Sequence, residues 1–420
     1  MAGAIIGVGI FANPANVARI LGEPSLILLA WALGGVLALL GGFAYAELGS
    51  RLPEVGGQYT YLARAWPPVV AFLYGIALLF IINGGSVAAV SIVFASYVDR
   101  SFLPLGGMGI KVVAALVLIA LTVINLLGVR PGKWTNNALM AAKVGGILAL
   151  IGLALFAGTP PPAADAARPD GPIAGLLLTA MVPIMFAYGG WQNAGSIAGE
   201  IRDPARTLAR ANVIGVVAVV LLYVGLNVAY LRVLSPGAMG ASSAVAADMA
   251  RAVAGEAGAR FLSALILVSS LGFLAVIIMT APRLYYAMAR DGLFPRRAAT
   301  LHPRFRTPVW TLWAQCGVSL VLLATNRYDQ LLSYVVFADW LFFGLTVAGI
   351  FVLRRRQPDG GRIARMPGHP VTTIVFVLAA AGIVVNSFLA YPTQSLIGSA
   401  ILLAAAAGYF LFVGRSRAVS

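Results

Sequence analysis

GAIIGVGIF, from Gly3 to Phe11, and FAYGGWQN, from Phe186 to Asn193, decide the reading of this 420-residue chain. Each sets glycines inside a run that is otherwise apolar and helical in character. Glycine lowers helix stability by about 1 kcal/mol per residue and lets backbone come close to a ligand, so paired glycines can mark the place where a helix unwinds. Close packing of helices through small residues is the competing explanation in a chain with 47 glycines. The surroundings of the two stretches separate these readings.

Around them, 60% of the chain is hydrophobic and only 10% is charged. Soluble domains average about 45–50% apolar and about 25% charged, so an ordinary cytoplasmic enzyme and a disordered chain are both excluded. Apolar runs bounded by Gly, Pro or charge predict an all-α polytopic membrane protein of twelve spans: 1–20, 25–48, 67–97, 110–128, 135–157, 173–199, 210–233, 260–288, 309–325, 330–353, 371–391 and 395–413. A Pro- and Ala-rich loop fills 158–172, and a short surface helix is expected within 236–258. The whole chain, 1–420, reads as one transmembrane domain. Residues 1–157 and 173–356 form two five-helix units, and 370–413 adds two helices. An odd number of spans per unit inverts the second relative to the first. The Gly7-Val8-Gly9 and Gly189-Gly190 interruptions therefore fall in corresponding spans, 1 and 6, of inverted repeats, where broken helices mark a mid-membrane site.

The net charge of +15 does not point to nucleic acid, because the basic residues are scattered through short connections. Nineteen Lys and Arg lie on one side of the alternating spans and eight on the other, which puts both termini in the cytoplasm. The apolar start lacks a basic leader region and reads as a span, not a cleaved signal. Arg outnumbers Lys 26 to 3, a hint of a GC-rich prokaryote and hence of an inner cell membrane. Cys316 is alone, so no intrachain disulfide can form. His302 and His369 fall in polar connections, which leaves no candidate metal site, and no cofactor is expected.

A broken helix offers unpaired N–H groups and a positive dipole end where it restarts, and unpaired carbonyls where it stops. One end suits an anion and the other a cation, so a zwitterionic α-amino acid satisfies both. The carboxylate is expected at the N–H groups of Val8, Gly9 and Ile10, and the ammonium at carbonyls of Ile6, Phe186, Ala187 and Gly189.

These stretches, with YAELGSRLPEVGGQYTYL at Tyr45 to Leu62, EIRDPARTL at Glu200 to Leu208, RLYYAMARDGLFP at Arg283 to Pro295 and DWLFFGLTVAGIFVLRRRQPD at Asp339 to Asp359, resemble the amino acid–polyamine–organocation superfamily of permeases. The L-type amino acid transporter branch is the nearer match, and the likeness runs over nearly the whole chain. It implies a five-plus-five inverted-repeat fold of the LeuT type and amino-acid transport by alternating access. It also implies that Phe186 closes over the substrate, with Tyr188 and Trp191 contributing an aromatic lining. Family members have a longer leader than the six residues before Gly7, and Ala275 stands where many carry Asn.

Two charges inside spans need a reason. Lys143 costs roughly 2.5–3.5 kcal/mol at a helix centre unless it snorkels or is paired. In sodium-independent members of this family a lysine on this helix stands in for a bound sodium ion, which implies contacts from Lys143 to the carbonyl of Gly7 and to Ser269 or Ser270. Asp339, near the middle of span 10, should be protonated, paired or facing water. Related L-type members often carry an amide here, lining the side-chain end of the pocket, so the resemblance implies that Asp339 takes up a proton or contacts a polar or cationic substrate group.

The expected function is a sodium-independent permease or exchanger of neutral amino acids. A cationic amino-acid or polyamine carrier is the alternative, and a non-transporting sensor is a third reading. An enzyme is not expected, because no nucleophile with a base or metal motif lies in the spans. The partners are the amino acid and the lipid bilayer. The loop between spans 3 and 4 has no cysteine for a disulfide-linked heavy subunit, so a monomer or weak homodimer is expected.

Overall fold

The computed structural model describes residues 5–53, 56–128, 133–156, 171–192, 204–356 and 364–413. Among these residues every regular element is helical. They comprise α1 (Gly9–Leu21), α2 (Pro24–Arg51), α3 (Gln58–Ala65), α4 (Pro68–Ser101), α5 (Gly106–Leu126), α6 (Lys133–Phe156) and α7 (Ile173–Tyr188). Then follow α8 (Pro204–Val233), α9 (Pro236–Ala241), α10 (Val245–Arg290), α11 (Val309–Thr325), α12 (Tyr328–Arg356), α13 (Val371–Ala390) and α14 (Pro392–Gly408).

Proline sits at the start of α2, α4 and α14, where the N–H it lacks has no helical partner anyway. Gly22 ends α1 with φ 64, a left-handed cap whose N–H closes on the carbonyl of Ala18. Among the described residues eight helices are long and apolar enough to cross a membrane, and three more apolar helices are shorter: Met140–Phe156, Ile173–Tyr188 and Val309–Thr325. Phe156, Phe261 and Leu389 are 90%, 75% and 78% exposed, as side chains facing hydrocarbon would be.

Two elements differ from the sequence expectation. α3 is an eight-residue helix after the second span, in a stretch whose polar Gln58, Thr60 and Arg64 hid it among loop residues. α10 begins at Val245 instead of 260. Gly255, at φ 66 and ψ −169, kinks it, so the short helix expected within 236–258 is divided between α9 and the first turns of α10.

α2 packs along α8, where the Asn212 amide donates to the Gly42 carbonyl at 3.0 Å. The interior is rich in rings. Trp191 lies 4.8 Å from both Tyr45 and Phe343, and Trp31 packs edge-on against Tyr188 and Tyr223. At the arginine-rich face, the fully buried Glu47 accepts from Arg51 at 2.8 Å, from two nitrogens of Arg354 at 2.9 and 2.8 Å, and from the Met366 amide at 2.8 Å. The chain after α12 is thus fastened to the end of α2.

Candidate functional site

Both glycine stretches are broken in the structure. Ile6, Gly7 and Val8 are not helical, and α1 starts at Gly9 with no side-chain cap on its first turn. Gly7 N–H turns back to the Ile5 carbonyl at 2.7 Å, and Phe11 N–H reaches the Val8 carbonyl at 3.0 Å. The amides of Val8, Gly9 and Ile10 are those of a helix start, where no carbonyl lies a turn behind and the dipole is positive. In the other stretch α7 stops at Tyr188. Gly189 is extended at ψ 158, Gly190 takes φ 119, and Gly189 N–H closes on the Phe186 carbonyl at 3.3 Å. Only glycine adopts the Gly190 conformation without strain.

The two breaks meet. A Cβ added at Gly9 would lie 2.7 Å from Cα of Ala187 and 3.0 Å from its Cβ, so the absence of a side chain is what lets α1 and α7 touch here. Residues Ile5 to Ile10 and Ala187 are buried. Phe186, beside the contact, is half-buried and packs against three hydrophobic clusters formed among the described residues.

Lys143 is 8% exposed, and its ammonium donates to the Ile6 carbonyl at 3.2 Å. This is one residue before the Gly7 carbonyl that the sequence led us to expect, because the turn at Gly7 N–H to Ile5 redirects the carbonyls. Ser270 Oγ donates to the Ile266 carbonyl of its own helix at 2.7 Å, while Ser269 Oγ is buried with no hydrogen-bond partner among the described residues. The lysine therefore takes up an Ile6 carbonyl that sequence reasoning had assigned to the substrate ammonium.

Two expected lining residues are engaged elsewhere. Tyr188 donates its hydroxyl to the Trp31 carbonyl at 3.1 Å and packs on Trp31 and Tyr223. Trp191 is 2% exposed, boxed by Tyr45, Phe343 and Phe376. Asp339 is half-buried on α12, within electrostatic reach of the phenols of Tyr45 and Tyr74. Among the described residues its carboxylate makes neither an ion pair nor a hydrogen bond.

Three residues that sequence reasoning missed hold the broken segment. Tyr223 donates to the Ile5 carbonyl at 3.2 Å, Tyr97 to the Phe11 carbonyl at 2.9 Å, and Asn13 to the Pro183 carbonyl at 2.6 Å. Asn13, a fully buried amide in an apolar helix, carried the signal that could have found it: an intramembrane polar group demands partners. Among the described residues no group of three His, Cys, Asp or Glu could hold a metal ion.

A family model described as an amino acid permease matches residues 1–412. The chain is 31% identical to the large neutral amino acids transporter small subunit 2 of Homo sapiens, over 98% of this chain and 78% of that protein. It is 29% identical to the serine/threonine exchanger SteT of Bacillus subtilis (strain 168), over 94% of this chain and 90% of that protein. Likeness to the cystine/glutamate transporter of Homo sapiens is 29% identity over 98% of this chain and 83% of that protein.

Proposed function

The chain belongs to the amino acid permease family, and from that membership we propose that it exchanges neutral amino acids across the cell membrane without sodium. The observation that carries this reading is the contact of two helix breaks at Gly9 and Ala187, with a lysine bonded into the first break. The free amides at the start of α1 take the α-carboxylate. Carbonyls at the end of α7 take the ammonium, and Phe186 covers the ligand. The Lys143 ammonium fills the place of a monovalent cation beside the unwound segment, so no sodium needs to bind there.

In this reading the twelve spans form two inverted units, 1–157 and 173–356, with 370–413 added, and both termini are cytoplasmic. Units α1 and α7 rock against the rest to expose the site to each face in turn. The relatives' names cover large neutral amino acids, serine and threonine, and cystine and glutamate, so the substrate's side chain is set by the pocket and not by the backbone grip. Cys316 is buried and is the chain's one cysteine, which leaves none for a covalent subunit.

The unpaired Asp339 favours a second reading, a cationic substrate. A competition panel of neutral and cationic amino acids in proteoliposome counterflow separates the two, run in sodium and in choline. Neutral amino acids should compete best, equally in both salts; a steep sodium requirement removes the role given to Lys143. If Asp339 contacts a substrate cation or carries a proton, Asp339→Asn shifts the substrate profile or the pH dependence. Neither changes if the carboxylate is only structural.

A further inference from the structure

The connection from α10 to α11 carries Arg290, Arg296, Arg297, Arg304 and Arg306 against one carboxylate, Asp291. All five arginines are exposed, and among the described residues none of their side chains makes an ion pair or a hydrogen bond. Arg304 lies over the Phe305 ring at 5.4 Å, and Asp291 accepts from the Tyr59 hydroxyl at 3.5 Å. Like charges on one short loop repel, so a chain free to do so would spread them apart. This loop is not free. Leu293, Phe294 and Ala298 are buried, and Phe294 stacks on Tyr285 at 5.8 Å and meets the edge of Trp310 at 6.4 Å. The turn that leads into α11 is closed by His302 N–H on the Thr307 carbonyl at 2.8 Å and by Arg306 N–H on the His302 carbonyl at 2.9 Å. His302 Nδ1 accepts the amides of Arg304 and Phe305, each at 3.2 Å, and the Thr307 hydroxyl donates to the Leu126 carbonyl at 2.9 Å. Arg306 is held at φ 55, a left-handed conformation that suits glycine or asparagine better, so the backbone gives no reason for an arginine there.

This built shelf of charge stands at a membrane boundary. On α11, Trp310 and Trp313 are 37% and 45% exposed, and the same helical face continues through the exposed Gly317 to Val321, 62% exposed. At 1.5 Å per residue that apolar stripe runs about 16 Å from Trp310. Tryptophans at the end of such a stripe sit at the level of the lipid headgroups, and Arg306 comes just before them in the chain. A soluble acidic protein or a nucleic acid would meet the guanidinium groups and leave the indoles uncovered. A phospholipid supplies both halves, a headgroup phosphate for the arginines and acyl chains for the rings. Unpaired guanidinium groups repel the ammonium of a zwitterionic headgroup, so a lipid of net negative charge is selected.

We propose that the Arg290–Arg306 connection and the exposed tryptophans at the start of α11 form a docking surface for an anionic phospholipid, its phosphate on the guanidinium groups and its chains along Trp310 and Trp313. This goes beyond the carrier reading and holds whichever solute is carried.

The test uses the intact protein in phosphatidylcholine vesicles containing brominated phosphatidylglycerol or brominated phosphatidylcholine, whose bromines quench nearby tryptophans. The signal of the two rings is the difference between wild type and Trp310→Phe/Trp313→Phe. Quenching there should show phosphatidylglycerol preferred by about tenfold at about 0.1 M salt and by under about threefold at about 1 M, because salt shortens the reach of charge. Arg296→Gln/Arg297→Gln/Arg304→Gln/Arg306→Gln should likewise bring the preference under about threefold, while Arg296→Lys/Arg297→Lys/Arg304→Lys/Arg306→Lys, which keeps the charge, should hold it above about fivefold. The salt arm needs no substitution, so it decides the matter even where a quadruple variant does not fold. Equal quenching by both lipids in wild type, or a preference unmoved by salt and by the glutamines, overturns the site. Quenching without lipid preference, together with binding of poly-glutamate, would assign the face to a soluble acidic partner and overturn it as well.

Discussion

Gly9 and Lys143 show how single residues fix this site. A methyl group at Gly9 would press on the backbone of Ala187 at 2.7 Å, and no rotamer can relieve a backbone clash. Gly9→Ala should force α1 and α7 apart, abolish uptake and lower thermal stability by about 1–3 kcal/mol. Uptake at the wild-type rate would mean that the breaks need not touch. Lys143→Met keeps the length and removes the charge from the Ile6 carbonyl, leaving a buried acceptor unpaired. Uptake should fall at least about tenfold, while the protein still elutes as a folded species on size exclusion. At this scale the sequence was a good guide to which residues matter and a poor guide to where they point. Lys143 stood out by its cost in an apolar helix. Its exact carbonyl depended on the reversed turn at Gly7, which no spacing rule contains.

Elements were legible where periodicity and punctuation agreed, as at α11, where the expected 309–325 matches Val309–Thr325. They were less so where a helix breaks. Beyond Tyr188, the extended Gly189 and the positive φ of Gly190 rotate the chain, so helical phase no longer tells which side Trp191 takes; it lands in an aromatic box. α10 ran long because Gly255 kinks the helix without ending it. The join of α2 to the segment after α12 was also hidden, since it depends on a backbone amide at Met366 reaching a carboxylate 319 residues away. Glu47→Gln would turn an N–H₂ group toward the guanidinium groups of Arg51 and Arg354. With Glu47 fully buried, the loss should be large, about 3–5 kcal/mol. Chemical denaturation in detergent reads it, and a shift under about 0.5 kcal/mol would show the join to be incidental.

At the scale of the whole molecule, membrane class was plain from composition, because water cannot accommodate so many apolar side chains at so little charge. Orientation rests on the uneven arginines and has a direct check. In a Cys316→Ser background, single cysteines at positions 327 and 356 should label from opposite faces of intact cells, the first with an impermeant thiol reagent and the second only after permeabilisation. Labelling of both from outside would invert or break the assigned topology. One feature of the assembled molecule reaches into cell physiology. The cation lodged against the first break is a lysine, covalently part of the chain, and it cannot be picked up on one side and dropped on the other. A carrier so equipped draws no thrust from a sodium battery at that position. On the exchange reading proposed above, uphill movement of one solute is driven by the downhill return of another, which ties together the interior pools of every amino acid that shares the seat.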